Sequence, residues 1–182
     1  MRVYNKILLV IALMIGITAV AVNYPNTMKY LNITYSELTT DAQKQVTCLA
    51  DNIYHEAGYE SEDGKVAVAL VTLNRVNDER FPKDICSVVK QKTNSTCQFS
   101  WFCMNVTKNK NNPAYEESLE AALWVYANYE QLDDITKGAI YYHADYVNPQ
   151  WKLRKTTKIG RHIFYRDYND AKTEPSAKGR NI

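Results

Sequence analysis

Three observations predict an α+β fold, mostly helical with a small antiparallel sheet near its C-terminal end. Two early segments repeat apolar residues at helical spacing, and a third opens on Asn112-Pro113. After residue 138 the period drops from 3.6 to 2. In chain order, Thr40 or Asp41 caps a helix running to about Ala57, with Val46, Leu49, Ala50, Ile53 and Ala57 as one apolar stripe. Gly58 ends it, and Ser61 caps a second helix with Val66, Ala69, Leu70 and Leu73 on one face, so the two form a hairpin. A short helix is expected near Asp84 to Lys90, after Phe81-Pro82, and a loop over 107–112. Asn112 as cap and Pro113 in the first turn then start a helix bearing Tyr115, Leu119, Ala122, Leu123 and Tyr126, which should end near Glu130. Strands are predicted over Gly138–His143, Lys155–Lys158 and Arg161–Arg166, the last two joined by a turn at Ile159-Gly160.

Length bounds the rest. Of 182 residues, the hydrophobic start and polar end leave roughly 130 to 140 for one compact domain, residues 39–166. Residues 23–38, with Pro25 and no period, read as a spacer, and residues 167–182 as a disordered polar tail. The net charge of +2 is mixed along the chain and gives no push toward nucleic acid. Fourteen tyrosines and three tryptophans suit sugar rings, although many of them must also build the core.

Residues 1–22 place basic Arg2 and Lys6 before an apolar run from Ile7 to Val22, which reads as a cleaved signal peptide or a retained membrane anchor. Either way the domain is expected outside the cytoplasm, in the periplasm or cell envelope. Four cysteines agree, since an even count in an exported domain points to disulfides. Pairing Cys97 with Cys103 and Cys48 with Cys86 is one of three connectivities.

The chemistry centres on Glu56. It falls at the edge of the first helix's apolar stripe, one turn after Ile53, where partial burial disfavours the ionised form and raises the pKa toward what a general acid needs. A boundary glutamate reaching water from the last helical turn would look the same in this segment alone. His55-Glu56 lacks the second histidine of a zinc protease helix, because Tyr59 stands there, and no metal or cofactor is expected. Lys152–Lys158 reads as a solvated hairpin face that could also meet acidic stem peptides, and not as a nucleic-acid patch.

Several motifs in consistent order, from about Cys48 to Arg166, carry a resemblance. They are Ile53-Tyr-His-Glu-Ala-Gly58, Gly64-Lys-Val-Ala-Val-Ala69, Leu73-Asn-Arg-Val76, Phe81-Pro82, Cys86-Ser-Val-Val-Lys-Gln91, Cys97-Gln-Phe-Ser-Trp101, Tyr141-Tyr-His143 and Gly160-Arg-His-Ile-Phe-Tyr165. Together they resemble the SleB/CwlJ family of cell-wall hydrolases, known from spore-cortex lysis, bacterial envelopes and phages. The resemblance implies a lysozyme-like fold and cleavage of peptidoglycan glycan strands by a lytic transglycosylase or muramidase, with Glu56 as the acid. The chain departs from the family at Gly58-Tyr59-Glu60, where Arg-Gly-Glu is usual.

The residues expected to bind substrate are Gln98, Ser100, Trp101, Tyr142 and His143, with His162 a weaker candidate. Glu60, Glu62 and Asp63 are the nearby carboxylates, and Ser61-Glu62-Asp63 reads as a helix start with dipole-matched acids. Two other function classes stay open: a hydrolytic muramidase using a second carboxylate, and a wall-binding module that has lost catalysis.

Overall fold

The computed structural model describes residues 31–94, 96–104 and 106–168. The expected signal or anchor segment, half of the spacer and most of the tail lie outside these. Among the described residues no helix is long and apolar enough to cross a membrane.

Helix α1 spans Thr40–Ala57 and α2 spans Glu62–Asn77. The cap of α1 is Thr39, one residue before the expected start, because its backbone is extended and its hydroxyl accepts the Ala42 N–H. Ser61 caps α2 as predicted, its hydroxyl accepting the Gly64 N–H. Asp84 caps the short α3, Ile85–Val89. A two-stranded hairpin of β1 (Lys92–Thr93) and β2 (Thr96–Cys97) and a one-turn α4 (Ser100–Cys103) follow, none of them predicted. Helix α5, Pro113–Asn128, starts as expected with Asn112 as cap and passes into a 3₁₀ turn at Tyr129–Gln131. Strands β3 (Tyr141–Ala144), β4 (Arg154–Ile159) and β5 (His162–Arg166) form one antiparallel sheet in the order β3-β5-β4.

The main core joins four helices. Val46, Leu49, Ala50 and Ile53 of α1 meet Leu70 and Leu73 of α2, with α3 and α5 closing around them. A second, smaller cluster fixes the sheet. Phe164 of β5, fully buried, packs on Ala67 and Val71 from another side of α2. Helix α2 is therefore buried on nearly every face, which only a helix shared between two layers requires.

Leu31 to Leu38, within the segment read as a spacer, lies against these helices. Tyr35 donates to the Gln43 carbonyl, and Asn128 donates to the Leu31 carbonyl at 3.0 Å.

The disulfides are Cys48–Cys86, tying α1 to α3, and Cys97–Cys103, closing the β2–α4 loop. The first spans 38 residues and restricts the unfolded chain far more than the second, which spans 6. Replacing Cys48 and Cys86 with serine is expected to cost ~2–4 kcal/mol in denaturant unfolding. Replacing the Cys97 pair should cost clearly less, and equal losses would contradict the loop-length argument.

Candidate active site

Glu56 lies in the last turn of α1, half-buried, on an open cleft of about 290 Å³ lined by residues 54–60 with Val106 and Thr107. Burial pushes its carboxyl above the ordinary value, outweighing the Tyr142 hydroxyl and the Arg75 cation, both of which favour the anion. The Tyr142 hydroxyl donates to Glu56 Oε2 at 3.1 Å. Tyr142 comes from β3 on the far side of the sheet–helix seam, and alternation along that strand turns it inward while Tyr141 and His143 turn outward. Its own pKa is pushed well up, first by burial and then by the Glu56 charge, so it remains a hydrogen donor.

The predicted residues separate into two groups. Trp101 and Tyr142 come to the Glu56 neighbourhood. The Trp101 ring stacks on His55 with centroids 4.4 Å apart, and its indole N–H donates to Asn52 Oδ1 at 3.2 Å. Asn52 in turn donates to Thr72 in α2, so a buried polar relay from α2 through α1 sets the indole's position. Gln98 and Ser100 are exposed on the disulfide-closed loop beside Trp101. His143 is elsewhere: it lies on the outer face of the sheet, its Nε2 at 2.9 Å from the Tyr165 hydroxyl and its ring stacked on Tyr165. His162 is buried, its ring edge-on to Tyr142 at 5.1 Å, and burial holds its pKa down. Among the described residues no three His, Cys, Asp or Glu side chains are grouped to hold a metal ion.

Glu60 needs separating from its neighbours. Glu62 and Asp63 do occupy the first turn of α2, but Glu60 lies before the cap and faces the β4–β5 turn. Its Oε2 accepts the Arg161 N–H at 3.2 Å. A Cβ on Gly160 would lie 2.3 Å from that oxygen, and one on Gly64 would lie 2.7 Å from Glu60 Cβ. Gly64 thus makes room for the stem of Glu60 and Gly160 for its carboxylate, which clamps the turn leading to His162 and so to Tyr142.

Arg75 is the functional neighbour that reading the sequence missed. It is 3% exposed, its Nε donates to the Ile140 carbonyl at 2.8 Å, and its guanidinium lies over the Phe81 and Phe99 rings at 5.5 and 5.1 Å. It is a buried cation whose field reaches both Glu56 and Tyr142. The available signal was a charge in a helix with no polar face.

Tyr142→Phe is expected to lower kcat about ten-fold, since one orienting hydrogen bond is lost. Because that bond favours the anion, its loss should also move the alkaline limb of the pH–rate profile upward. An unchanged profile would separate the hydroxyl from the acid.

Comparison with known proteins bears on the fold and the family. A family model described as Cell Wall Hydrolase matches residues 59–165, a span that begins three residues after Glu56. Spore cortex-lytic enzymes of Oceanobacillus iheyensis and Bacillus subtilis are 29% and 26% identical over 131 and 125 residues. Each alignment takes in 68% of this chain, but the chain spans only 42% and 38% of those relatives. The catalytic domain of the germination-specific lytic transglycosylase SleB from Bacillus anthracis aligns with a TM-score of 0.53 at 27% identity, over 68% of this chain and 95% of that one. The Bacillus cereus SleB catalytic domain, at 24% identity and a TM-score of 0.52 over 79% and 100%, shares the fold. With the matched span taking in more than half of its residues, the chain belongs to the cell wall hydrolase family.

Proposed function

We propose that this protein cleaves the glycan strand of peptidoglycan between N-acetylmuramic acid and N-acetylglucosamine as a lytic transglycosylase, with Glu56 as its single essential carboxyl. The observation that carries the reading is a half-buried carboxyl held toward its protonated form, with a hydroxyl donor fixed on one oxygen. Protonated Glu56 gives its proton to the glycosidic oxygen as the bond to the anomeric carbon breaks. The C6 hydroxyl of the same muramic acid then attacks that carbon and returns its proton to the Glu56 carboxylate, which leaves a 1,6-anhydro end and the enzyme in its starting form. No water enters the balance.

A two-carboxylate hydrolase is the second reading, and Glu60 is the residue that keeps it in view because it lines the same cleft. Its commitment to the Arg161 N–H favours a structural role. The N-terminal apolar segment fits export as a signal peptide or an outward-facing anchor, placing the enzyme at the envelope with peptidoglycan as its partner. A bacterial envelope enzyme and a phage endolysin fit this equally.

Mass spectrometry of digested peptidoglycan tests the proposal. The expected products are 1,6-anhydromuramyl ends, with Glu60→Gln retaining activity within about three-fold because its amide oxygen still accepts the Arg161 N–H. Glu62→Gln and Asp63→Asn should be near neutral. Reducing muramic acid ends, together with an inactive but folded Glu60→Gln, would replace the transglycosylase by the muramidase.

A further inference from the structure

The sheet has a second face that the cleft does not use. The register places Lys155, Tyr165 and Tyr141 in one row across β4, β5 and β3, on the side opposite Tyr142. Over this row lies Trp151 from the β3–β4 connection, its ring 6.2 Å from Tyr141, 5.7 Å from Tyr165 and 5.4 Å from His143. Three ring contacts fix its orientation, yet it remains 44% exposed. An indole held rigid and left open is unusual for a residue whose burial would stabilise the fold. The neighbouring edge is basic: residues 152–158 hold four lysines and arginines and no acid, and Lys152, Arg154 and Lys155 are exposed. Lys158 is already paired with Asp145.

We propose that this face is a second, non-catalytic subsite for the wall polymer, in which Trp151 and Tyr165 stack a sugar ring and the β4 edge receives carboxylates of a stem peptide. The inference deepens the proposed function and rests on it for the identity of the polymer. Charge complementarity selects the occupant: a glycan strand with anionic peptides matches a ring platform bordered by cations, whereas a neutral glycan would leave the basic edge without a role. The spacing agrees. Two inter-strand spacings separate Tyr141 from Lys155, about 10 Å, so the rings and the ammonium address different parts of one glycan strand. The sheet itself stands between this face and Glu56, so the subsite holds polymer without entering the reaction.

The test is co-sedimentation of the full chain, carrying Glu56→Gln so that nothing is digested, with insoluble peptidoglycan and with chitin, an insoluble neutral glycan that has no peptides and no carboxylates. Trp151→Ala is expected to lower retention roughly five-fold or more on both. Lys155→Glu should lower it on intact wall only, and the effect should fade in high salt. Lys155 is exposed on an edge strand, so its reversal reports binding even if the tryptophan variant folds poorly. Retention unchanged by either substitution overturns the proposal. So does an equal Lys155→Glu effect on chitin, or a Trp151→Ala variant that only dissociates a dimer. If the binding differences hold while wild-type protein releases no anhydro ends, the subsite stands and the proposed function falls.

Discussion

Glu56→Gln is expected to lower kcat by ~100-fold or more with the fold intact, since the amide keeps the shape and removes the proton. The same substitution should stabilise the protein above neutral pH. Burial raises the Glu56 pKa in the folded state above its ordinary value of 4.5, so ionisation is disfavoured there relative to the unfolded chain. The stability tied to this group is complete below the unfolded value and is lost as pH rises through the higher folded one. Glutamine never ionises and escapes that loss. Thermal melts in alkaline buffer should therefore favour the variant, and the gain should vanish in acid. Wild-type turnover by Glu56→Gln would remove this residue as the acid, and a gain independent of pH would remove burial of its charge as the cause.

Arg75→Ala is expected to cost ~3–5 kcal/mol, through the cavity left between two phenylalanine rings and the Ile140 carbonyl left without its donor. Lysine should recover part of this, keeping the charge without the planar fork. In whatever folded protein remains, losing the cation removes an influence that lowers the Glu56 pKa, so the alkaline limb of activity should move up. A loss within about 1 kcal/mol, the range of ordinary surface changes, would mean that the guanidinium is not a structural centre.

Much of this architecture was legible because it depends on local chemistry. Caps at Ser61 and Asn112 announce themselves as a polar residue before an apolar period, and both hold in the structure. Glu56 was legible for a related reason, since its place on the helical wheel fixes its depth. Elements too short to show a period, or made by long-range closure, were not. The β1–β2 hairpin has two residues per strand, too few to show a period. Tyr142 and His143 differ in role by strand parity alone, and parity is assigned only once the sheet's buried face is known. The Glu60 clamp joins residues 101 apart in the chain, a pairing that no local rule reaches. Arg75 was hidden by its motif, where a charge among apolar residues reads as surface until the helix proves to be enclosed.

The packing of Glu60 against Gly64 and Gly160 has a consequence for how such a sequence drifts. Alanine at either glycine meets Glu60 at 2.7 or 2.3 Å, and Gly160 also holds a φ of +53°, so each step taken first is penalised. Shortening Glu60 first relieves only the Gly160 contact, made with the carboxylate oxygen, because the Gly64 contact is with a Cβ that every residue but glycine keeps, and it releases the turn. The order of substitution therefore decides viability: Gly64→Ala becomes neutral only on a background where position 60 is already glycine, while Gly160 stays barred by its backbone. Two positions one helical turn apart and a third distant in the chain form one epistatic unit, and lineages that retain Glu60 are confined to glycine at the other two.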